Sequence, residues 1–303
     1  MIKRLVRFDW AMKKLLRSKA NFGILEGFLS ELLGRNLKII ELLEGESNKE
    51  NEDNKYNKVD ILVKLDTDEM VLIEVQVNNE YDYFHRMLFG TSKIISEYMK
   101  SGQTYSNIKK VYSVNILYFD LGHGIDYVYH GITSFTGIHY HDQLNLSDKQ
   151  RQLYQKECVH HIYPEYYLIK VNQFNDIAKN TLDEWIYFLK NEEIKEEFNA
   201  KGLSEAKEKL DSFKLSGAEK QEYDKFVENT RYRLSMVESN FNAGKLEGIK
   251  EGKVEGEATG VAKGEKIKAI EIATTMKNAG MNKEVVQQLT GLNEDEIDKL
   301  FAS

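Results

Sequence analysis

Three polar side chains lie inside two short apolar segments of the sequence, and they are of types that bind divalent cations. Asp60 lies in the first segment, and Glu74 and Gln76 lie in the second. An unpaired carboxylate is costly to bury in such a segment, so these residues require a partner. Carboxylate and amide oxygens suit Mg²⁺ or Mn²⁺, which can activate water and hold a phosphate oxygen. The alternative is a polar hairpin face that is turned to solvent.

The two apolar segments have the pattern of a β-hairpin. Residues 59–65 and 70–77 are rich in β-branched and apolar side chains, and a polar turn separates them. Side chains alternate along a strand, so a register that pairs Asp60 with Glu74 or Gln76 gathers all three polar groups on one face. A slip of one residue would separate them and bury the wrong stripe. The hairpin therefore predicts one shared site for the three residues.

The elements around this hairpin predict an α/β core. Helices are expected at 22–33, 81–98 and 181–190, and further strands at 37–43, 109–119, 126–129 and 166–171. A hairpin followed by a long helix and another strand favours a mixed central sheet flanked by helices. The last strand follows Pro164, the chain's single proline, and this predicts an edge position for it.

These residues also resemble a known family. Asp60 followed by Glu74 and Gln76, with the flanking helices FLSELLG and FHRMLFGTSKIISEY, is similar to the PD-(D/E)xK nuclease family transposases, also called recombination-promoting nucleases, over about residues 5–190. The resemblance implies a restriction-endonuclease-like core and a metal-dependent endonuclease that hydrolyses DNA phosphodiesters, with Asp60 and Glu74 as ligands of Mg²⁺ or Mn²⁺. Gln76 stands where the family pattern usually has lysine. It can orient water or a phosphate, but it cannot supply an ammonium charge.

The resemblance also implies a glutamate from the first helix at the metal, and Glu26 is the better placed candidate. The alternative for Glu26 is a flanking surface carboxylate. Arg86, near the start of the helix after the hairpin, is a candidate for gripping the scissile phosphate through its guanidinium, or else an ordinary ion-paired arginine.

Basic residues near the N-terminus are further candidates for nucleic-acid contact. Residues 1–20 hold seven Lys and Arg against one Asp, although the whole chain has a net charge of −7. A local basic patch matters more than the total charge for contacting phosphates, which makes Lys13, Lys14 and Arg17 candidates. The alternative is a solvated helix face.

Composition limits the remaining classes of function. No apolar run approaches the roughly 20 residues of a membrane span, and no secretory signal is recognised at the start, so a cytoplasmic protein is expected. A single cysteine, Cys158, excludes an internal disulfide framework and a thiolate metal cluster. The pairs His139/His141 and His160/His161 do not match a standard zinc spacing.

The chain divides into four predicted parts. Residues 1–190 form the nuclease-like domain, and 191–243 form a charged helical segment. Residues 244–264 carry a glycine at every fourth position, which favours either a helix that gains order by self-association or a flexible tether. Residues 265–303 form a small helical tail similar to a helix-turn-helix unit. This tail would form a homo-oligomer or position the protein on DNA.

Two other functions stay open from the sequence. One is a catalytically decayed nuclease core that serves as a DNA-binding or regulatory protein, which the Gln76 departure and the negative charge favour. The other is a nuclease that acts on RNA.

Overall fold

A computed structural model describes most of the chain. The described residues are 5–14, 16, 18–43, 61–99, 102–211 and 215–302. They belong to two compact units, Met1–Glu228 and Asn229–Ser303. No helix within the described ranges has both the length and the apolar character needed to cross a lipid bilayer.

The first unit is built on a mixed β-sheet. Its strands are β1 Ile39–Leu43, β2 Ile61–Leu65, β3 Met70–Gln76, β4 Val111–Leu117, β5 Val128–Gly131 and β6 Glu165–Lys170. They lie in the order β1-β2-β3-β4-β6-β5. The pairs β3/β4 and β4/β6 are parallel, and β1/β2, β2/β3 and β5/β6 are antiparallel. The predicted mixed sheet with flanking helices is confirmed.

Nine α-helices are found in the described ranges. They are α1 Phe8–Lys14, α2 Phe22–Leu33, α3 Tyr83–Glu97, α4 Asp148–Tyr154, α5 Thr181–Asn191, α6 Leu203–Lys209, α7 Gly217–Asn278, α8 Lys283–Thr290 and α9 Glu294–Ala302. Helix α3 connects two parallel neighbours, β3 and β4, as a parallel pair requires of its crossover.

The β2–β3 hairpin is organised as its apolar pattern predicts. Ile61 pairs with Ile73 and Val63 pairs with Val71, so the β-branched residues of the two strands share one face. That face lies in the main core with α2 and α5, where it packs with Phe28 and other buried side chains. The opposite face of the hairpin, which includes Leu72, packs in a second cluster with side chains of α3.

The main core extends past α5. Leu203 and Ala206 of α6 are buried in it together with residues of α2. The close approach requires a glycine in α2, because a Cβ on Gly27 would lie 2.3 Å from the backbone oxygen of Lys201. The next residue, Gly202, has a φ of +84°, a backbone conformation that glycine adopts without steric cost.

The prediction that the strand after Pro164 lies at a sheet edge was wrong. β6 has β4 on one side and β5 on the other. Pro164 precedes the first residue of the strand, Glu165, so its missing N–H removes no hydrogen bond from the ladder.

The second unit ends in two short helices, α8 and α9, which follow the 62-residue helix α7. Asn282 accepts a hydrogen bond from the backbone N–H of Val285 at 2.9 Å and begins α8, and Gly291, with a φ of +67°, ends it. A small core of Ala273, Val286 and other apolar residues joins the end of α7 to α8 and α9. The glycine repeat lies within α7, where an added Cβ would meet no other atom within 4 Å at any of its six glycines.

Candidate active site

The carboxylate of Glu74 lies in β3 on the face that packs against α3. Its side chain is almost entirely enclosed, with 7% of the residue exposed. In the parallel register Glu74 lies beside Asn115 of β4, and both Asn115 and Ser113 are fully buried. Buried polar groups of this kind persist only where hydrogen bonds satisfy them.

Tyr83, the first residue of α3, links these strands. Its hydroxyl donates to Asn115 Oδ1 at 3.0 Å and lies 3.4 Å from Glu74 Oε2. Asn115 Nδ2 in turn donates to Ser113 Oγ at 3.0 Å. Burial, reinforced by the nearby charge of Glu74, raises the pKa of the Tyr83 hydroxyl far above its usual value. Tyr83 therefore keeps its proton and stays a hydrogen-bond donor within this network.

A second group of contacts lies where β3 ends. Gln76 Nε2 donates to Glu80 Oε1 at 2.5 Å. Arg86 Nη1 donates to the two oxygens of Glu80 at 2.7 and 3.0 Å. Glu80 thus holds the side chain of Gln76 and that of Arg86 at the same carboxylate.

The contact with Glu80 fixes which way the Gln76 amide points. An ionised carboxylate only accepts hydrogen bonds, so Gln76 must turn its NH₂ group toward Glu80. The carbonyl oxygen of Gln76 is then the atom directed away from Glu80. Because Glu74 and Gln76 are alternate residues of one strand, their side chains leave the same face, roughly 7 Å apart. A carboxylate and an amide oxygen are suited to a hard divalent cation, so the donor set fits such an ion.

Arg86 also lies close to Glu74. Its Nε is 3.9 Å from Glu74 Oε2, and its guanidinium carbon lies 5.9 Å from the centre of the Tyr83 ring. Burial alone would lower the pKa of Arg86, but the charges of Glu74 and Glu80 outweigh burial and raise it. Arg86 is therefore permanently cationic, and it places a positive charge beside the buried carboxylate.

The sequence-predicted residues are distributed unevenly in the structure. Glu74, Gln76 and Arg86 are brought together, as described above. Asp60 and Arg17 lie outside the described residues. Their predicted roles stay predictions.

The candidates near the N-terminus have different surroundings. Glu26 is half-buried, and its Oε1 accepts a hydrogen bond from the backbone N–H of Ile39 at 2.8 Å, which ties α2 to the start of β1. Lys13 and Lys14 are the last residues of α1, and only their backbone is described. The metal role of Glu26 and the nucleic-acid contacts of the two lysines stay predictions.

Three residues of this site were missed in the sequence. Glu80 and Tyr83 follow the hairpin in a polar stretch with no distinctive spacing, so no pattern pointed to them. Asn115 carried a usable signal, because an amide inside the apolar strand Val111–Leu117 needs a buried partner just as Glu74 does.

The mixed six-stranded sheet and its flanking helices are those of a PD-(D/E)XK α/β fold. The family model for PD-(D/E)XK nuclease family transposases matches residues 6–239, and the chain belongs to this family. Residues 266–302 match the C-terminal HTH domain of the Rpn/YhgA-like nuclease family. No curated protein and no solved structure gives a significant match. The predicted family is confirmed, and the HTH match supports the expectation of a DNA-binding tail.

Proposed function

We propose that this protein is a metal-dependent endonuclease that hydrolyses DNA phosphodiester bonds. The observation that carries the proposal is the buried carboxylate of Glu74, which shares a strand face with the oriented carbonyl oxygen of Gln76. Asp60 and Glu74 would hold Mg²⁺ or Mn²⁺. When bound, the ion supplies an activated water and neutralises charge on the scissile phosphate.

The assignment of Asp60 rests on its place in the sequence and on the family pattern. Asp60 precedes Ile61, and Ile61 pairs with Ile73, the residue before Glu74. An aspartate that is followed, after a turn, by Glu-x-Lys on the next strand is the pattern of the family. We assign Asp60 as the second carboxylate ligand on this basis.

The chain's own residues position the reacting groups. The Tyr83 hydroxyl packs against both Asn115 Oδ1 and Glu74 Oε2, which limits the orientations open to the Glu74 carboxylate. Glu80 turns the carbonyl oxygen of Gln76 toward the ion or its water. Arg86 supplies the positive charge that Gln76 lacks, because its guanidinium can contact a phosphate oxygen while it stays bound to Glu80.

Two further sets of residues bear on this proposal. The Glu26 carboxylate is bound to the N–H of Ile39, and Ile39 pairs with Leu65, roughly 13 Å along β2 from the Ile61–Ile73 pair beside Glu74. Helix α2 also packs on the opposite face of the hairpin from Glu74, so Glu26 is not used as a ligand of this ion. Lys13, Lys14 and Arg17 would contact the DNA backbone, where they would contribute affinity without sequence preference.

The C-terminal unit would add DNA affinity. Its HTH-like helices would position the nuclease on DNA.

We also propose that two copies associate through the glycine-bearing stretch of α7, where small residues permit close helix approach. Replacing Gly252 and Gly256 with alanine should weaken self-association in sedimentation experiments. Unchanged sedimentation would exclude the glycine-bearing stretch of α7 as the contact between copies.

The test is plasmid nicking by the purified chain with Mg²⁺ or Mn²⁺. The wild type should nick supercoiled DNA, a chelator should stop the reaction, and Asp60→Ala should be inactive. Equal nicking by the wild type and Asp60→Ala would refute the assignment.

A labelled RNA competitor decides between DNA and RNA as substrate. Tight DNA binding without cleavage or metal uptake would favour the decayed regulatory protein, the alternative that the glutamine at position 76 supports.

A further inference from the structure

A cysteine and two histidines converge in the segment between α4 and β6. The side-chain ligand atoms of Cys158, His160 and His161 all lie within 4.8 Å of one another, and each residue is half-buried. We propose that these three residues bind a zinc ion. This site is separate from the oxygen-ligand site around Glu74, and it does not depend on the proposed nuclease activity.

The local backbone explains how three near-neighbours in sequence can share one ion. Cys158 is extended, with φ −131° and ψ 155°, and it precedes a single 3₁₀ turn, Val159–His161. The N–H of His161 donates to the carbonyl oxygen of Cys158 at 3.2 Å, which closes the turn. The two imidazole rings lie with their centres 4.3 Å apart. A tight turn thus brings the three donors together without contributions from distant strands.

A buried ammonium fixes this turn to the sheet. Lys110 is 5% exposed, and its Nζ donates to the backbone oxygens of His160 at 2.7 Å and Tyr163 at 2.5 Å. The same Nζ donates to Glu165 Oε1 at 2.7 Å, so a carboxylate balances its charge. The backbone of the turn is therefore held before any ion binds, which lowers the entropy cost of forming a site.

The donor set selects the class of metal. One thiolate and two imidazoles are zinc ligands, whereas Mg²⁺ and Ca²⁺ require oxygen donors. One sulfur and two nitrogen atoms around a tetrahedral zinc ion lie roughly 3.3–3.6 Å apart, so small side-chain movements suffice to close the site. A cavity of about 420 Å³, lined by His161, Ile162 and Tyr105 among others, adjoins the cluster. Of the three proposed ligands only His161 lines this cavity, so water or an external ligand would reach the ion from the His161 side.

The sequence does not indicate this zinc site, because neither its cysteine nor its histidines form a standard zinc-binding pattern by themselves. A lone cysteine has no cysteine partner, and two adjacent histidines have no standard zinc spacing. The short Cys-x-His-His arrangement becomes a candidate only when the turn shows that all three donors meet.

The test measures zinc binding by the full-length protein rather than its activity. After treatment with a chelator, the protein is titrated with zinc in competition with a chromophoric indicator, and one zinc per chain is expected. Co²⁺ should give the intense visible bands of a tetrahedral site and a thiolate-to-cobalt band in the near ultraviolet. Cys158→Ser should lose the thiolate band, and both Cys158→Ser and His160→Ala should weaken zinc binding at least about tenfold.

Two matched variants serve as controls. His139→Ala removes an exposed histidine outside the cluster, and Glu74→Gln removes the acidic ligand of the proposed nuclease site. Both should bind zinc as the wild type does. Circular dichroism checks that every variant is folded, and a zinc-dependent rise in melting temperature should occur in the wild type and not in His160→Ala. The proposal is overturned if no zinc binds, if Cys158→Ser binds it unchanged, or if Glu74→Gln loses it.

Discussion

Glu80 gives the sharpest test of the electrostatics of the proposed nuclease site. Its carboxylate holds both Gln76 and Arg86. Glu80→Gln keeps the shape of the side chain and an oxygen that can accept the hydrogen bond from Gln76, but it removes one negative charge. Arg86 then lies beside Glu74 without the negative charge of Glu80 to balance its own. A cation therefore binds the site more weakly.

The magnitude follows from the distances. Glu80 accepts a hydrogen bond from the Gln76 amide at 2.5 Å, so an ion bound to the carbonyl oxygen of Gln76 lies no more than roughly 7 Å from the removed charge. For a divalent ion the lost attraction is about 5 kcal/mol at an effective dielectric constant of about 20. With a Debye length of about 8 Å at physiological ionic strength, screening lowers it to about 2 kcal/mol. We therefore expect metal affinity to fall at least roughly 30-fold, the equivalent of about 2 kcal/mol, and more if the site is shielded from salt.

The assay is the dependence of plasmid nicking on Mn²⁺ concentration, supported by calorimetric titration of Mn²⁺. Glu80→Gln should raise the half-maximal Mn²⁺ concentration by the stated factor and leave the rate at saturating Mn²⁺ nearly unchanged. Glu97→Gln is the matched control, because it removes a carboxylate near the other end of α3, about 20 Å along the helix. An unchanged metal midpoint, or an equal shift in the control, would refute the electrostatic role of Glu80.

Three further predictions concern stability and are measured by urea unfolding. Tyr83→Phe should lower the free energy of unfolding by about 1–2 kcal/mol, because it removes the buried donor to Asn115, and a change near zero would contradict the network. Lys170→Met should raise that free energy by about 1–3 kcal/mol, because the buried Lys170 Nζ has no hydrogen-bond partner among the residues that the structure describes, and a loss of stability would contradict this. Burial alone would raise the pKa of Glu165, but hydrogen bonds from Lys110 and His130 outweigh burial and lower the pKa below 4.5. Its carboxylate therefore stabilises the fold above about pH 4.5, and this advantage over Glu165→Gln should disappear as the pH falls through the lowered pKa, whereas a pH-independent difference would contradict it.

The sequence predicted the hairpin well because its pattern is local and redundant. The alternation of β-branched residues predicted both strands and the side chains that share a face. It left two registers open, and the structure pairs Ile61 with Ile73. The caps of α8 were also readable, since Asn282 and Gly291 have specific roles at helix ends.

The rest depended on contacts that local patterns do not encode. The interior position of β6 in the sheet was not predicted, because a proline before a strand is compatible with either an edge or an interior location. Glu80 joined the site only through the path of the chain between β3 and α3. The clustering of Cys158 with two histidines depended on a single turn that is held by the distant Lys110.

The central claim is that Glu74 and Gln76 hold a divalent cation. Anomalous scattering from crystals soaked in Mn²⁺ tests it most directly. We predict a manganese peak within coordination distance of Glu74 and the carbonyl oxygen of Gln76, with Asp60 as a further ligand and Arg86 still bound to Glu80. A manganese-saturated crystal with no peak at Glu74, and with Arg86 as the partner of that carboxylate, would contradict the account.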